Sequence, residues 1–199
     1  MDAERQDWWN ANLPMRSEDF AQWLTGPMDE TRMPVRGIVE REGRKSVLDV
    51  GCGLCTERDG FIRDKYEVCY VGVDSCRYLV RAALKVGHPA VLGCADNLPF
   101  PDDAFESVMC RGVIEHLEHW RPALEEMMRV TLGDVLVSWF LPPQECESKN
   151  HTVENGGVLW HNTHSRPEIE TWLSELGCVW NWHPLPRDFE LLRIEKHGH

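Results

Sequence analysis

Ser46-Val47-Leu48-Asp49-Val50-Gly51-Cys52-Gly53-Leu54-Cys55 decides the architecture. Its first five residues form a short, mostly apolar run, the pattern of a strand buried on both faces. The glycines behind it let the backbone turn tightly and come close to a ligand, because no Cβ stands in the way. A helix to about Tyr66 should follow, and its first turn offers free N–H groups and a positive dipole end. Gly-x-Gly alone is weak evidence; between an apolar strand and a helix it carries weight.

Outward from that turn, strands and helices alternate. Val68–Val73, Ala90–Cys94, Phe105–Cys110 and Asp134–Phe140 read as strands. Between them, Arg77–Val86 reads as a helix with Leu79, Val80, Ala83 and Leu84 on one face, and Pro122–Val130 as another. Apolar strands alternating with helices imply a parallel sheet covered on both sides.

The two ends are patterned differently. Residues 1–30 are Trp-rich, with Trp8, Trp9 and Trp23; Ser17 is a candidate cap for a short helix through Leu24, ended by Gly26-Pro27. A further helix is expected from Met33 to Glu42, with Pro34 in its first turn and Gly43 as its stop. Residues 1–44 thus form an N-terminal helical cap on the substrate side of a domain spanning 45–199. Residues 142–163 lack periodicity and read as a loop insertion, with Pro142-Pro143 as a turn. Ser165-Arg166-Pro167-Glu168 is a capping box for a helix through Leu176, closed by Gly177. Two short strands near Val179–Trp182 and Phe189–Ile194 finish the chain.

Composition narrows the function. The 199 residues carry 33 acidic and 21 basic side chains, for a net charge of −12. No run of Lys and Arg exists to displace counterions from a polyanion, so neither nucleic acid nor an anionic membrane is an expected partner. Neither a secretory leader nor a run of ~18 apolar residues is visible, which reads as cytoplasmic. Of the eight cysteines, Cys69, Cys94 and Cys110 sit in apolar runs and read as small core residues. Cys52-x-x-Cys55 has no second pair, so no metal is expected. His151, His161 and His164 fall in the late loop, where solvated or pocket-lining roles compete with metal binding. Trp8, Trp9, Trp139 and Trp160 are candidates for pocket walls or core.

Two carboxylates complete the pattern. Asp74 ends the second strand, and neighbouring strand ends line one crevice in such sheets. There it can accept hydrogen bonds from both hydroxyls of a ribose, and it repels a 2′-phosphate. Asp96, in Cys94-Ala95-Asp96-Asn97-Leu98-Pro99-Phe100, can pair with an adenine amino group.

The runs V-L-D-V-G-C-G, V-G-V-D, C-A-D-N-L-P-F-P-D-D-A-F-E-S-V and I-E-H-L, in this order over about residues 45–140, resemble a class I S-adenosylmethionine-dependent methyltransferase. The pattern is closest to the type 11 group, which is similar to the ubiquinone and menaquinone biosynthesis methyltransferases. That resemblance implies an α/β, Rossmann-like, doubly wound sheet of seven mostly parallel strands with an antiparallel last strand and helices on both faces. It implies S-adenosyl-L-methionine as cofactor. Asp49, Gly51, Cys52 and Gly53 would shape the pocket for its methionine part. Asp74 would hold the ribose, with Ser75 and Cys76 beside the adenine, and Cys94, Ala95, Asp96 and Asn97 would meet the adenine edge. Arg111, Gly112 and Val113 would flank the amino-acid end and the methyl group. His116, beside the cofactor on the substrate side, is the candidate catalytic base, with a structural role as its competitor. The chain departs from the family at Cys55, where a third glycine is usual. Thr56 in place of a glycine argues against a dinucleotide. The expected acceptor is a small molecule. A non-catalytic S-adenosylmethionine-binding module acting through a protein partner is the alternative, and an aminopropyl transferase using the decarboxylated cofactor is a third reading.

Overall fold

The computed structural model describes residues 8, 9, 12 and 29–196. The helix expected from Ser17 lies outside the described residues.

Seven strands form one sheet in the order β3-β2-β1-β4-β5-β9-β8. These are β1 (Ser46–Val50), β2 (Cys69–Asp74), β3 (Ala90–Leu92), β4 (Phe105–Arg111), β5 (Thr131–Trp139), β8 (Val179–Pro184) and β9 (Glu190–Glu195). Neighbours from β3 to β5 are parallel, whereas β9 runs antiparallel to both β5 and β8. The sheet is therefore the expected Rossmann-like one. Its strand order reverses between β1 and β4, so a crevice opens at their carboxyl ends.

Helices cover both faces: α1 (Asp29–Arg41), α2 (Thr56–Arg63) and α3 (Arg77–Lys85) on one, α4 (Arg121–Val130) and α5 (Arg166–Glu175) on the other. Alternation along the strands feeds the two layers. Val108 and Cys110 pack with Leu124, Met127 and Leu173, while Met109 between them packs with Val35, Val39 and Phe61. Each large apolar side chain so buried contributes roughly 1.5–3 kcal/mol. Trp139 is wholly buried in this core and walls no pocket.

Several boundaries differ from expectation. Helix α1 starts at Asp29, so Pro34 lies inside it. On α3, Leu79, Val80 and Ala83 are buried but Leu84 is 52% exposed, because the stripe facing the sheet is only three residues wide there. Cys69 opens β2 at the sheet's rim and is exposed. The 142–163 segment is not wholly irregular: β6 (His151–Glu154) and β7 (Gly157–Trp160) form a separate antiparallel hairpin. Its turn is Asn155-Gly156, with φ of 48° and 84°, the left-handed pair that a two-residue hairpin requires. Ser165 caps α5 as expected, its hydroxyl accepting from the Glu168 amide. No helix among the described residues is long and apolar enough to cross a membrane.

Candidate functional site

The crevice is organised by the glycine-rich turn. Gly51, Gly53 and Cys55 all take left-handed φ, at 72°, 55° and 60°. The amides of Gly51 and Cys52 both donate to the Val73 carbonyl at 2.8 and 3.1 Å, which ties the turn to β2. Asp74, one residue on, finishes the job. Its Oδ2 accepts the Gly53 amide at 2.9 Å and its Oδ1 the Cys76 amide at 2.8 Å. Burial raises the Asp74 pKa, and those two N–H groups pull against that rise. A Cβ on Gly53 would meet nothing within 4 Å, so its backbone faces open space. Gly51, by contrast, is pressed against Val113: a Cβ would stand 2.1 Å from Val113 Cγ2.

One end of the cavity is ionic. Arg32 from α1 and Arg111 from the end of β4 both line it, and Glu57 Oε1 lies between them, 3.6 and 3.3 Å from their Nε atoms. Arg32 also bonds the Thr56 hydroxyl. Behind them, the buried Arg36 pairs with Glu57 at 2.9 Å and Asp64 at 3.1 Å. Asp49 accepts the Tyr70 hydroxyl at 2.5 Å. Burial, and then the nearby Glu57, push the Asp49 carboxyl up to about 7. Arg32 and Arg111 thus present their guanidinium groups at this end of the cavity, both beside Glu57.

Beyond Arg111 the lining turns aromatic. Val113 and Ile114 lead into a single turn of 3₁₀ helix, Ile114–His116. The buried Glu115 accepts the Phe140 amide at 2.6 Å, fixing the end of β5 against this turn. Burial raises the Glu115 pKa to about 7. His116 donates or accepts through Nδ1 at 2.7 Å from the Trp160 carbonyl; a carbonyl only accepts, so Nδ1 carries the proton. Burial lowers the His116 pKa. Its imidazole is therefore neutral near pH 7, with the Nε2 lone pair left over. The rings of Trp9 and Phe140 lie 5.6 and 5.4 Å from it.

These parts line one cavity of about 400 Å³. Of the residues assigned to the cofactor or to catalysis from the sequence, it gathers all except Cys76 and Asn97. Cys76 turns its side chain into a buried cluster with Leu79. Asn97 is exposed, its amide closing a turn onto the Cys94 carbonyl at 3.1 Å. The cavity also takes in Arg32, Glu57, Phe140, Arg187 and Phe189, none of which had been singled out. Only Glu57 left a local trace, as an acidic residue in the helix turn after the glycines. Of the late histidines, His164 is buried with Nε2 3.0 Å from the Ile114 carbonyl, and His161 meets His116 edge-on, with ring centroids 5.4 Å apart. Among the described residues no cluster of three metal-ligating side chains occurs.

Comparison with known proteins agrees with this geometry. Residues 48–135 match the methyltransferase domain family. The mouse (Mus musculus) probable tRNA methyltransferase 9B is 29% identical over 185 residues, covering 87% of this chain and 38% of the relative. The uncharacterized methyltransferase YcgJ of Bacillus subtilis is 32% identical over 117 residues, covering 53% of this chain and 46% of its own length. The chain therefore spans less than half the length of these curated relatives. Among solved structures, magnesium protoporphyrin IX methyltransferase of Synechocystis PCC 6803, with bound SAH, superposes with a TM-score of 0.69 at 14% identity, covering 96% of this chain and 98% of that one. A putative methyltransferase in complex with the Haloferax volcanii Trm112 activator gives 0.67 at 14% identity, covering 92% and 96%. At such identities these likenesses are of fold. The family match covers the turn and strands that build the crevice, so residues 48–135 form a methyltransferase domain with the four motifs of the class I, S-adenosylmethionine-dependent, type 11 pattern in register.

Proposed function

We propose that this chain binds S-adenosylmethionine and catalyses transfer of its methyl group to a small-molecule acceptor. One observation carries the reading: a single cavity has the Asp74 carboxylate on one side, the Arg32 and Arg111 guanidiniums on another, and the His116 imidazole at its aromatic end. The residues fit the cofactor. Its ribose diol matches a half-buried carboxylate, its amino-acid carboxylate matches paired guanidiniums, and its chain needs the close backbone approach that Gly53 leaves open. A cavity of about 400 Å³ lies within the ~300–1,000 Å³ of ligand sites.

Asp49, Gly51, Cys52 and Gly53 then shape the methionine side, and Asp74 holds the ribose. Ser75, Cys94, Ala95 and Asp96 border the adenine; Gly112 and Val113 border the reacting end. When bound, the cofactor supplies an activated methyl group on a sulfonium. The chain's own contribution is alignment and proton removal. Val113 and Phe140 wall the reacting end, and His116 accepts the acceptor's proton at Nε2. Trp9 covers the acceptor side, beside His116, which supports residues 1–44 as a cap.

A second reading, a nucleobase of tRNA as acceptor, draws on the mouse relative's printed name and its match to 87% of this chain. The net charge of −12 weighs against it. Incubating the purified chain with methyl-labelled cofactor and fractionated cell extract tests both. Label in the low-molecular-weight fraction is expected. Label confined to RNA would overturn the small-molecule acceptor, and cofactor binding without labelled product would favour the non-catalytic module.

A further inference from the structure

The acceptor end of the cavity has a chemistry of its own. Four rings follow one another around it: Trp9 to His116 at 5.6 Å, His116 to Phe140 at 5.4 Å, and Phe140 to Phe189 at 6.3 Å between centroids. All four line the cavity. Arg187 is the charged side chain beside them, and it reaches across the rim to Glu30 at 2.5 Å. The wall is thus a set of π-faces and edges, which match another ring better than a flexible or hydrated chain.

His116 adds a second constraint. Its Nδ1–H is committed to the Trp160 carbonyl, so what it offers is an acceptor lone pair. A neutral imidazole removes a proton efficiently only from a group of comparable acidity. A phenol-type hydroxyl, with a pKa of about 10, or an imide-type ring N–H acidified by adjacent carbonyls comes closest to that condition. An aliphatic alcohol does not.

We propose that the acceptor is a flat, conjugated ring bearing an O–H or N–H, held among Trp9, Phe140 and Phe189 with its reacting heteroatom at His116. The proposal rests on the methyltransferase reading above. In the step it implies, the ring heteroatom forms a bond to the methyl carbon, the carbon–sulfur bond breaks with its electron pair going to sulfur, and the heteroatom's proton passes to Nε2 of His116. Such a ring has two sources, a free small molecule or an unpaired base in RNA.

Calorimetry on the full chain saturated with S-adenosylhomocysteine tests this, with quinolin-4-ol as the flat probe and decahydroquinolin-4-ol as its saturated counterpart. The flat probe is expected to bind at least tenfold more tightly. Trp9→Ala should cut that preference below threefold, with both probes measured on the variant saturated with S-adenosylhomocysteine. Phe140→Leu is the second variant, with the same expectation, should Trp9→Ala disturb the fold. Equal affinity for the two probes, or a preference unchanged in both variants, overturns the proposal alone. Failure of the wild-type chain to bind S-adenosylhomocysteine overturns the methyltransferase reading and this proposal with it. Competition of quinolin-4-ol by an unmodified tRNA transcript supports the flat ring with RNA as its source; binding of the probe without such competition supports it with a free molecule as the source.

Discussion

Asp74 Oδ2 accepts the backbone N–H of Gly53 at 2.9 Å, so the carboxylate proposed to hold the ribose also holds the turn. Its other oxygen accepts the Cys76 amide. Removing the carboxylate takes away two charge-assisted bonds within the protein and the ligand contact together, each worth about 1.5–3 kcal/mol. Asp74→Ala should weaken S-adenosylhomocysteine binding at least tenfold and lower the melting temperature as well. Asp74→Asn should also fall short, since its NH₂ group would face one of the two backbone donors. Calorimetry with a parallel thermal melt checks both, and unchanged affinity in Asp74→Ala would remove Asp74 from the site.

Gly51 is constrained twice, by its φ of 72° and by Val113. A side chain there costs about 1–2 kcal/mol for the left-handed backbone and roughly 1–3 kcal/mol for the overlap. Gly51→Ala should therefore lose both stability and cofactor affinity. Adding Val113→Ala removes the methyl group in the way but leaves the φ cost. The double variant should recover part of the melting temperature lost by Gly51→Ala; no recovery would show that the Val113 contact is not the obstacle.

Cys55 bears on the family's usual third glycine. It is wholly buried and holds a left-handed φ of 60° at the N-cap of α2. That backbone disfavours any Cβ, which explains why glycine suits the position. The sulfur stands 3.0 Å from where a Cβ on Gly72 would lie, so it fills space that glycine would leave. Cys55→Gly should accordingly be at least as stable as Cys55→Ala. At most positions the order is the reverse, by about 0.4–1 kcal/mol, because alanine restricts the unfolded chain. Chemical denaturation of the two variants decides the order.

Much of the cofactor side was legible because its signals are local. The turn and Asp74 follow apolar strands directly, and parallel neighbours must bring those strand ends together. Cys76 shows the limit of that logic: one residue past Ser75, the chain has already entered the N-cap of α3 and points the thiol inward. Arg187 and Phe189 carry no local signal. They reach the cavity because β9 returns antiparallel beside β5, a placement set by pairing between segments some fifty residues apart. The hairpin was different, since Asn155-Gly156 is a turn signal in plain view. The run His151–Glu154 before it is exposed throughout, so no inward-facing apolar alternation marked it as a strand.

That hairpin is what seats Trp8 and Asn12. A Cβ on Gly157 would lie 2.4 Å from Trp8 Cα, and Asn155 donates to the Asn12 side chain at 2.7 Å. Backbone cannot yield as a flexible side chain can, so Gly157→Ala must push Trp8 and Trp9 away from the hairpin. Trp9 would then leave His116. The expected result is a raised KM for the acceptor with S-adenosylhomocysteine affinity within twofold of wild type. A loss of cofactor affinity instead would show that the hairpin supports the whole cavity.

His116 should set the acid limb of the pH–rate profile. Burial holds its pKa below the usual 6.5, with the adjacent His161 ring pushing the same way and the Trp160 carbonyl opposing. Glu115, one residue before it, is directed to the amides of Phe140 and Leu141. The base is active when neutral, so kcat should be flat above about 6.5 and fall as pH drops below that value. The same shift has a stability sign. A folded pKa below the unfolded one means that stability is fully present above about 6.5 and is lost as pH falls through the folded value. His116→Gln keeps a donor for Trp160 but no basic lone pair, and should lower kcat about 10²–10⁴-fold without moving cofactor affinity. An acid limb that persists in His116→Gln would assign it to another group, and an unchanged kcat would leave His116 as a wall rather than a base.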